Sequence, residues 1–365
     1  MRVVHVHRMR GIGGSERHLL TLLPALAAAG EEVAFVGLDD PRWDPQPFYE
    51  RLAVAHVRLA CPRDLDPALA RRLRSELRRL RPDVVHTHLV HADVYGALAS
   101  LRQPWALVST KHNDDPFRAG PFRFVERVLA RRADRVIAIT RALARFTVDR
   151  VGLPARKVDV VHYGLDELPA PWAEGPPPPA EGRLLLAVAR LTEQKGLDVA
   201  VRALPAIPGD VRLAVLGEGP ARPALEALAR ELGVERRLLL PGRVGDVAAW
   251  LERAAVVVHP ARWEGFGLAV LEAMLASRPV VASAVSSIPE LVADGETGVL
   301  VPPDDPDALA SAVAALLQEP ERAERLGRAG RERARSEFSV AAMASGTLSA
   351  YGRALASRRA SKSER

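Results

Sequence analysis

The sequence is poor in cysteine, in aromatic residues and in long apolar segments, and each shortage excludes a class of protein. The single cysteine, Cys61, cannot form an internal disulfide, so we expect a reducing compartment and a buried structural role for this residue. No apolar segment approaches the roughly 20 residues that a membrane-spanning helix needs. The first residues lack the apolar stretch and cleavage site of a signal peptide, which predicts a cytoplasmic protein.

The positive charge of the chain is unevenly distributed. The formal net charge is +6, and arginines cluster at 71–81 and 123–135. These clusters fit solvated helix faces, or peripheral attraction to an anionic partner such as the inner face of a membrane. Aromatic residues make up only 5% of the chain and form no stacking platform beside the basic clusters, so we expect no nucleic-acid partner.

Short β-branched segments alternate with longer segments of helical period along most of the chain. This alternation predicts an α/β fold with mostly parallel strands, and the strands are too many for one sheet. The predicted strands are 2–7, 33–37, 53–59, 83–87, 106–110, 135–139, 158–162, 184–189, 211–216, 237–240, 255–259, 279–282 and 298–301.

A proline-rich segment, PAPWAEGPPPPAEG at 169–182, interrupts this pattern. Consecutive prolines form a stiff extended connector, and a new buried strand follows. We therefore predict two Rossmann-like domains that face each other across a cleft. Their predicted limits are 1–168 for the first domain, 169–182 for the linker, 183–340 for the second domain, 341–358 for a helix returning to the first domain, and 359–365 for a disordered tail.

The loops that follow strands are the ones to inspect, because ligands of open parallel sheets bind beyond the carboxyl ends of the strands. In the first such loop, RMRGIGGSERHLL, Gly13 and Gly14 precede a helix. Glycines and a helix N-terminus favour an anion, yet Glu16 occupies the third position of a dinucleotide fingerprint. The alternative is a tight turn with Ser15 as the helix N-cap.

Three histidines also follow predicted strands in the first half. His112 directly follows strand 106–110, and His88 and His91 follow strand 83–87. A single histidine is more often structural than functional, but its position at a sheet edge makes His112 a candidate. The spacing of His86, His88 and His91 is too loose to predict a metal site.

The second half offers cations and glycines at the same edge of its predicted sheet. Arg190 and Lys195 lie in ARLTEQKGLD, where two cations suit a diphosphate. Two glycine-containing turns follow the next strands, and their candidate residues are Gly217, Gly219, Arg243 and Val244.

The segment RWEGFGLAVLEAM adds two carboxylates around a helix start. Glu264 lies in the glycine-rich turn, and Glu272 lies inside the following helix. A carboxylate accepts hydrogen bonds from adjacent hydroxyl groups, so the pair predicts contacts with two sugar-like parts of one ligand.

These segments resemble a known family. RWEGFGLAVLEAM is similar to the E-x7-E signature of retaining GT-B glycosyltransferases of the family 4 type. ARLTEQKGLD resembles the diphosphate loop of that family, and GIGGSERHLL and DVVHTH resemble its N-terminal glycine loop and following strand. Nearly the whole chain takes part in the resemblance.

The resemblance implies roles for individual residues. Glu272 would bind the ribose, Arg190 and Lys195 the diphosphate, and Glu264 the donor sugar, with His112 reaching that sugar across the cleft. The remaining donor-side residues would be Gly13, Gly14, Gly217, Gly219, Arg243, Val244, Gly265, Phe266, Gly267 and Leu268. Glu16, His88 and Asn113 would lie on the acceptor side, although Asn113 replaces a frequent aspartate, and Ala269 a usual proline.

The implied reaction transfers a sugar, with retention, from a nucleoside-diphosphate sugar to an acceptor hydroxyl. A UDP-sugar is the first expectation and a GDP-sugar the next. The acceptor would be a glycan, a lipid-linked glycan or a small molecule. Because cations stabilise the departing diphosphate, we expect the reaction to need no metal or other cofactor. The two Asp-x-Asp strings, at Asp64/Asp66 and Asp305/Asp307, fit helix caps better than metal ligands.

Three alternatives remain open at this stage. A sugar-nucleotide epimerase of the same two-domain fold would need acid and base groups but no acceptor. A nicotinamide oxidoreductase would use segment 11–16 with Asp39 or Asp40 on the ribose. A nucleic-acid binder drawn by net charge would leave the two glutamates unexplained.

Overall fold

The chain folds into two compact units in this computed structural model, which describes residues 1–64, 66–114, 116–168, 171 and 175–363. The N-terminal unit comprises Met1–Gly164 and Val340–Arg365, and the C-terminal unit comprises Leu165–Ser339. Of the connector predicted at 169–182, residues 169–170 and 172–174 lie outside the described residues.

The N-terminal unit is built on a parallel sheet in which the described residues form seven strands, in the order β3-β2-β1-β4-β5-β6-β7. The strands are β1 (Arg2–Met9), β2 (Glu32–Asp39), β3 (Ala55–Ala60), β4 (Val84–His88), β5 (Ala106–Lys111), β6 (Arg135–Ala138) and β7 (Val158–Val160). The helices are α1 (Gly14–Ala28), α2 (Gln46–Tyr49), α3 (Pro67–Leu80), α4 (Leu89–Ala99), α5 (Arg123–Arg132) and α6 (Arg141–Arg145), the last continuing into a π-helix at Phe146–Val151. Each predicted strand of this half is present.

The C-terminal unit repeats the plan with a second parallel sheet, in the order β10-β9-β8-β11-β12-β13. Its strands are β8 (Arg183–Val188), β9 (Val211–Leu216), β10 (Leu238–Gly242), β11 (Val256–His259), β12 (Val280–Ser283) and β13 (Val299–Val301). Its helices are α7 (Leu197–Ala203), α8 (Arg222–Glu231), α9 (Val247–Arg253), α10 (Leu268–Leu275), α11 (Ile288–Leu291), α12 (Pro306–Gln318) and α13 (Pro320–Glu337). Single-turn 3₁₀ helices lie at Pro116–Ala119, Ala155–Lys157, Glu193–Lys195, Leu204–Ala206 and Glu235–Arg237.

The last helix, α14 (Val340–Ser363), belongs to the N-terminal unit. It packs against α1, β5 and β6, and it buries Tyr351 completely. We expected a disordered tail from residue 359, but the helix continues to Ser363. Arginine, alanine and lysine are good helix formers, so extending an existing helix over them costs little. Residues 364–365 lie outside the described residues.

The central strands of both sheets are buried on their two faces, which explains their composition. The central strands β1 and β4 are apolar at first and then carry histidines, with His5 paired to His86 and His7 to His88 across the two strands. Parallel strands place their carboxyl ends at one edge, so the loops that follow them converge. No helix in the described part of the chain is long and apolar enough to cross a membrane.

Candidate functional site

The loop after β8 and the loop after β11 meet at the carboxyl edge of the C-terminal sheet. Gly196 has a left-handed φ of +57°, and a Cβ at this position would lie 2.0 Å from the carbonyl oxygen of Pro260. Only glycine allows this approach, because any side chain would displace the backbone of the second loop. The backbone N–H of Arg262 completes the contact by donating to the carbonyl of Gln194 at 2.8 Å.

Lys195 and Glu264 form the charged centre of this edge. The Lys195 ammonium donates to the Glu264 carboxylate, and both side chains are largely buried, with exposed fractions of 13% and 11%. His259, at the end of β11, lies 2.9 Å from the same carboxylate oxygen. The N–H of Gly265 donates to the other oxygen at 3.2 Å. Lys195 thus keeps further N–H donors on its ammonium, which carries three.

These contacts determine the charge of Glu264. Burial by itself would raise the pKa of its carboxyl, but the Lys195 ammonium and the hydrogen bond from His259 outweigh burial and lower that pKa to about 2. Glu264 is therefore ionised at neutral pH and forms a salt bridge with the Lys195 ammonium.

Arg262 holds the two loops together from the other side. Its guanidinium donates to both carboxylate oxygens of Asp198, at 3.0 and 2.8 Å, and lies 2.7 Å from the carboxylate of Asp304. It also donates to the carbonyl of Glu193 at 2.8 Å. Arg262 was not among the predicted site residues, although it lies only two residues before Glu264 in the same loop.

The start of α10 places backbone N–H groups beside Glu264. Gly267 adopts φ +100°, and a Cβ there would lie 2.9 Å from Ile288. The hydroxyl of Ser287, which is fully buried, lies 3.1 Å from the carbonyl of Glu264 and 2.9 Å from that of Phe266. Ser287 therefore fixes the turn that precedes the helix N-terminus, where an anion is favoured. Ser287 was not among the predicted site residues.

Glu272 lies on α10 and is buried, with 2% of its surface exposed. Gly265, Phe266 and Gly267 are also buried, while Leu268, at the first position of α10, is partly exposed. The helix therefore carries Glu272 inside the C-terminal unit, whereas Glu264 precedes the helix and meets Lys195.

The glycine-rich turn after β9 packs directly on the loop after β8. A Cβ on Gly217 would lie 2.1 Å from the carbonyl oxygen of Ala189, and one on Gly219 would lie 2.2 Å from that of Leu191. Both positions therefore exclude any side chain.

The remaining donor-side candidates of this unit differ in exposure. Arg243 is exposed and Val244 is buried in the turn after β10. Arg190 is exposed, and its guanidinium lies 3.4 Å from the amide oxygen of Gln194. The structure thus gathers the predicted residues of the C-terminal unit along one edge of one sheet.

At the corresponding edge of the N-terminal unit, the glycine loop forms a helix cap. Gly13, not Ser15, is the N-cap of α1, which begins at Gly14. The Gly13 N–H donates to the Glu16 carboxylate at 2.9 Å, and the Ser15 hydroxyl donates to the same oxygen at 3.0 Å. His7 lies 3.7 Å from the other oxygen of Glu16. The Ser15 prediction was wrong because the Glu16 side chain reaches back to close the turn.

His112 lies in a group of buried aromatic rings. Its Nε2 is 3.0 Å from Nδ1 of His88, and its Nδ1 is hydrogen-bonded to the hydroxyl of Tyr163. His18 stacks on Tyr163 with a centroid distance of 4.1 Å. Both ring nitrogens of His112 therefore have protein partners, so a ligand can reach the ring only by replacing one of them.

The histidines that lie close together in the structure are not the three whose spacing was compared in the sequence, which were His86, His88 and His91. Among the described residues, the group that could hold a metal is His5, His86 and His88. His91 instead lies 3.6 Å from the carboxylate of Asp64. His5 was not predicted because no loop follows it directly, and its partners lie on β4 and on α14.

A buried ion cluster supports the loop that carries His112. The Lys111 ammonium lies 2.6 Å from Asp93 and 2.9 Å from Glu126. Arg118 lies 2.9 Å from Glu126 and also donates to the carbonyl of Asn113. Asn113 is thus held through its backbone, and the cluster anchors the loop from the opposite face of the sheet.

Two acidic positions discussed above are structural. Asp66 and Asp305 accept the N–H groups of Ala68 and Ala308, each at 2.9 Å, and cap α3 and α12 as predicted.

The two acids considered for a nicotinamide site, Asp39 and Asp40, also have protein partners. Asp40 is fully buried and lies 2.9 Å from Arg8 and 2.7 Å from Arg42. Asp39 accepts from Tyr49 at 2.5 Å and from Arg58 at 2.6 Å. Cys61 is buried, as expected.

Comparison with known proteins identifies the class of this protein first and then its family. The chain is similar in fold to Anabaena HepE in complex with UDP and glucose, with a TM-score of 0.83, 20% identity and coverage of 96% of this chain and 99% of that one. It is also similar in fold to a sucrose-phosphate synthase from Thermosynechococcus elongatus, with a TM-score of 0.81, 24% identity and coverage of 97% of this chain and 99% of that one. Two parallel α/β units of this kind form the GT-B fold.

The family follows from sequence similarity. The family description Glycosyl transferases group 1 matches residues 172–333, and Glycosyltransferase Family 4 matches residues 12–167. A D-inositol 3-phosphate glycosyltransferase from Xylanimonas cellulosilytica is 34% identical, over 94% of this chain and 92% of the relative. An α-maltose-1-phosphate synthase from Mycolicibacterium smegmatis is 34% identical over 73% and 78%. The chain therefore belongs to the glycosyltransferases, with a family 4 segment followed by a group 1 segment.

Proposed function

We propose that this glycosyltransferase moves a sugar, with retention of the anomeric configuration, from a nucleoside-diphosphate sugar to an acceptor hydroxyl. The observation that carries the proposal is the Lys195–Glu264 pair, held by His259 beside the N-terminus of α10. A fixed cation and a helix N-terminus at one sheet edge suit a diphosphate, and a carboxylate next to them suits sugar hydroxyls. HepE, whose structures hold UDP, glucose and UDP-glucose, makes a UDP-sugar the first donor to test and a GDP-sugar the next.

Each residue of the C-terminal edge has a part in this proposal. Lys195 and Arg190 bind the diphosphate, Glu264 binds the sugar hydroxyls, and Glu272 binds the ribose. The turns that carry Gly217, Gly219, Arg243 and Val244, and the backbone of Gly265, Phe266, Gly267 and Leu268, shape the donor pocket. For the N-terminal unit, we propose that Gly13, Gly14, Glu16, His88, His112 and Asn113 serve the acceptor side or the transferred sugar.

The chemistry follows from the leaving group. As the bond from the anomeric carbon to the phosphate oxygen breaks, negative charge grows on the diphosphate, and preorganised donors stabilise it. Glu264 is engaged by a lysine and a histidine, which argues against its acting as a nucleophile in a double displacement. The acceptor hydroxyl therefore attacks on the face that the diphosphate leaves, and a phosphate oxygen takes its proton. This scheme requires no metal ion, because Lys195 and Arg190 supply the positive charge.

The relatives also suggest a kind of acceptor. The D-inositol 3-phosphate glycosyltransferase and the α-maltose-1-phosphate synthase are both named for phosphorylated sugars or polyols. Small phosphorylated polyols are therefore the first acceptors to test. The transferase and synthase names also favour a glycosyltransferase over the epimerase alternative, and that alternative predicts interconversion of sugar nucleotides without an acceptor.

A lipid-linked acceptor is the second choice, and α5 supports it. Phe124 and Val128 are exposed on this helix, at 58% and 57%, and exposed arginines flank them at Arg123 and Arg131. Apolar side chains ringed by cations suit an anionic bilayer surface. We propose that α5 contacts such a surface when the acceptor is lipid-linked.

A thermal-shift screen tests the donor assignment. Wild-type protein is mixed with UDP, GDP, ADP and dTDP, with NAD as a control for the oxidoreductase alternative. A ligand at about 100 times its dissociation constant adds roughly 2.7 kcal/mol to the stability of the protein. We expect a shift with UDP or GDP that is lost in Glu272→Ala. A shift with NAD alone would contradict the proposal.

A further inference from the structure

Charged side chains from neighbouring parts of the N-terminal sheet meet at its carboxyl edge. Strands β3, β2, β1 and β4 lie side by side in that order. The end of β1, the loops that follow β1, β2 and β3, and the first turn of α4 each contribute to the group. We call it the arginine cluster, and its members are Arg8, Arg10, Asp40, Arg42, Asp64 and His91. It lies where open parallel sheets bind their ligands.

The inner part of the cluster is fixed by buried ion pairs. Asp40 is fully buried and accepts from Nη2 of Arg8 at 2.9 Å and from Nε and Nη2 of Arg42 at 2.8 and 2.7 Å. The hydrogen bonds from Arg42, together with the charge of Arg8, hold the pKa of the Asp40 carboxyl well below its usual range. Asp40 is therefore an ionised and permanent partner of both guanidinium groups.

Arg8 has more donors than this partner uses. Its side chain is only 2% exposed, and its buried Nε has no hydrogen-bond partner in the described part of the chain. Buried N–H groups of native proteins almost always have a partner, so an unused one calls for an explanation. A ligand that accepts hydrogen bonds is one such explanation.

The outer part of the cluster converges on one exposed carboxylate. The side chain of Asp64 is 62% exposed, and its Oδ1 lies 2.7 Å from Nη1 of Arg8. Three more nitrogens surround the same oxygen at 3.6–3.8 Å, which is too far for a hydrogen bond. They belong to His91, Arg10 and Arg42. Asp64 thus occupies a position toward which more donors point than one carboxylate oxygen satisfies.

The balance of charge also favours an additional anion. Among the described members of the cluster, three guanidinium groups face two carboxylates, so positive charge is in excess. Burial, together with the charges of Arg8 and Arg10, lowers the pKa of His91, so its imidazole supplies a donor without a charge at neutral pH. An exposed ion pair contributes little to stability, so displacing Asp64 costs little.

We propose that the arginine cluster binds the phosphate monoester of a small polyol, and that Asp64 occupies the site until the phosphate displaces it. A phosphate monoester carries nearly two negative charges and three acceptor oxygens. It therefore reaches several of the nitrogens that Oδ1 of Asp64 leaves at 3.6–3.8 Å. Guanidinium groups match phosphate in a bidentate geometry. That this polyol is the sugar acceptor rests on the proposed function, whereas the anion site itself does not.

Isothermal titration calorimetry with sn-glycerol 3-phosphate, inorganic phosphate and glycerol tests the site. We expect both phosphate compounds to bind and glycerol not to bind. Arg42→Gln removes an exposed guanidinium while Arg8 still partners Asp40, and it should weaken phosphate binding about tenfold, the factor of one charge-assisted hydrogen bond. Arg71→Gln alters an exposed arginine on α3 of the same unit and is the matched control, which should bind as the wild type does.

A second variant predicts a change in the opposite direction. Asp64→Asn removes the carboxylate that competes for the guanidinium groups, and we expect it to strengthen phosphate binding about tenfold. Asp149→Asn removes an exposed carboxylate from the π-helix of the same unit and should leave the affinity unchanged. A network that serves only to join the loops predicts no gain in Asp64→Asn, so equal or weaker binding in this variant would overturn the proposal.

A lipid head group offers the same phosphate monoester, and a vesicle experiment separates the two sources. The vesicles consist of phosphatidylcholine with phosphatidic acid, whose head group is a phosphate monoester. Because the cluster takes a soluble ligand, we expect Arg42→Gln to bind these vesicles as the wild type does. Vesicle binding that Arg42→Gln loses, without any binding of sn-glycerol 3-phosphate, would overturn the assignment to a soluble polyol.

Titration with UDP separates this inference from the proposed function. Lys195→Ala, in the other unit, should leave the affinity for sn-glycerol 3-phosphate unchanged. If UDP binds but neither the wild type nor Asp64→Asn binds a phosphate compound, the anion site is wrong and the donor assignment stands. If the phosphate compounds bind as predicted but UDP does not, the anion site stands and the donor assignment is wrong.

Discussion

Both units place polar groups at the carboxyl edge of a parallel sheet. The central groups are ionised in the C-terminal unit, whereas in the N-terminal unit they are buried imidazoles. The C-terminal edge holds a charged pair, Lys195 and Glu264, fixed by short loops that follow two neighbouring strands. The N-terminal edge holds buried imidazoles that hydrogen-bond to one another, and burial lowers their pKa. The first arrangement keeps its charges because each compensates the other, whereas the second is stable only while it stays uncharged.

The largest predicted difference between the two units is in their stability at acidic pH. The folded-state pKa values of His5, His18, His86 and His88 lie below the ordinary value of 6.5, so the unfolded chain binds more protons as the pH falls below 6.5. For His5 and His18, whose pKa is lowered to about 3, this costs about 2 kcal/mol of stability each between pH 7 and pH 5, and His86 and His88 act in the same direction. Glu264, with a pKa lowered from 4.5 to about 2, stabilises its unit until the pH falls below about 4.5.

We therefore expect the N-terminal unit to lose stability first. Hydrogen exchange, corrected for the intrinsic effect of pH, should show β1 and β4 losing protection between pH 7 and pH 5 while β8 and β11 keep theirs. Equal losses of protection in the two units would contradict the predicted difference between them.

The next largest effect concerns the charged pair. Lys195→Ala should lower kcat about 10²–10³-fold, because one preorganised donor to a developing anion is lost, and should change the KM of the donor much less. Steady-state kinetics with the donor identified by the thermal-shift screen measures both constants. Arg230→Ala, which removes an exposed cation from α8 of the same unit, is the control and should have no effect. A kcat that is unchanged in Lys195→Ala would contradict the role of Lys195 in stabilising the diphosphate.

A smaller effect is expected at the glycine turn. Gly219→Ala places a Cβ where it would lie 2.2 Å from the carbonyl of Leu191, so one of the two donor loops must move. We expect a loss of about 1–3 kcal/mol in stability, as for other overpacked sites, and weaker nucleotide binding. Gly209→Ala meets no atom within 4 Å and should be neutral in the same melting and calorimetry experiments. Full nucleotide affinity in Gly219→Ala would show that the contact is not needed.

The smallest effect is expected on the surface of α5. Arg131→Ser should weaken binding to vesicles that contain anionic lipid by about fivefold, since one basic side chain near such a surface contributes about 1 kcal/mol. Arg328→Ser alters an exposed arginine of the other unit and serves as the control in co-sedimentation. Equal binding of both variants and of the wild type would contradict membrane contact through α5.

The sequence predicted one edge far better than the other. Each of the strands predicted from β-branched segments is present, because alternation and strand composition are local signals. The loops with Lys195 and Glu264 were also predicted, since glycines and charges stand close together along the chain there. Arg262 and Ser287 were missed because their partners are distant in sequence: Arg262 binds Asp198, Asp304 and the carbonyl of Glu193, and Ser287 binds the carbonyls of Glu264 and Phe266.

The hydrogen bonds among the buried histidines and Tyr351 could not be predicted for a related reason. His5 and His88 are 83 positions apart, and His86 and Tyr351 are 265 apart, so no window of sequence contains a bonded set. Strand register brings the histidines together, and α14 supplies the tyrosine. A strand segment such as RVVHVH predicts burial but does not indicate which buried histidines will meet.

The central claim is that Lys195 binds the diphosphate of a sugar nucleotide at the C-terminal edge. Calorimetric titration of the wild type and of Lys195→Ala with UDP and with uridine tests it most directly. We predict that the wild type binds UDP far more tightly than uridine, and that Lys195→Ala loses most of this difference while uridine binds both proteins alike. A preference for UDP that persists in Lys195→Ala would contradict the account and assign the diphosphate to other residues.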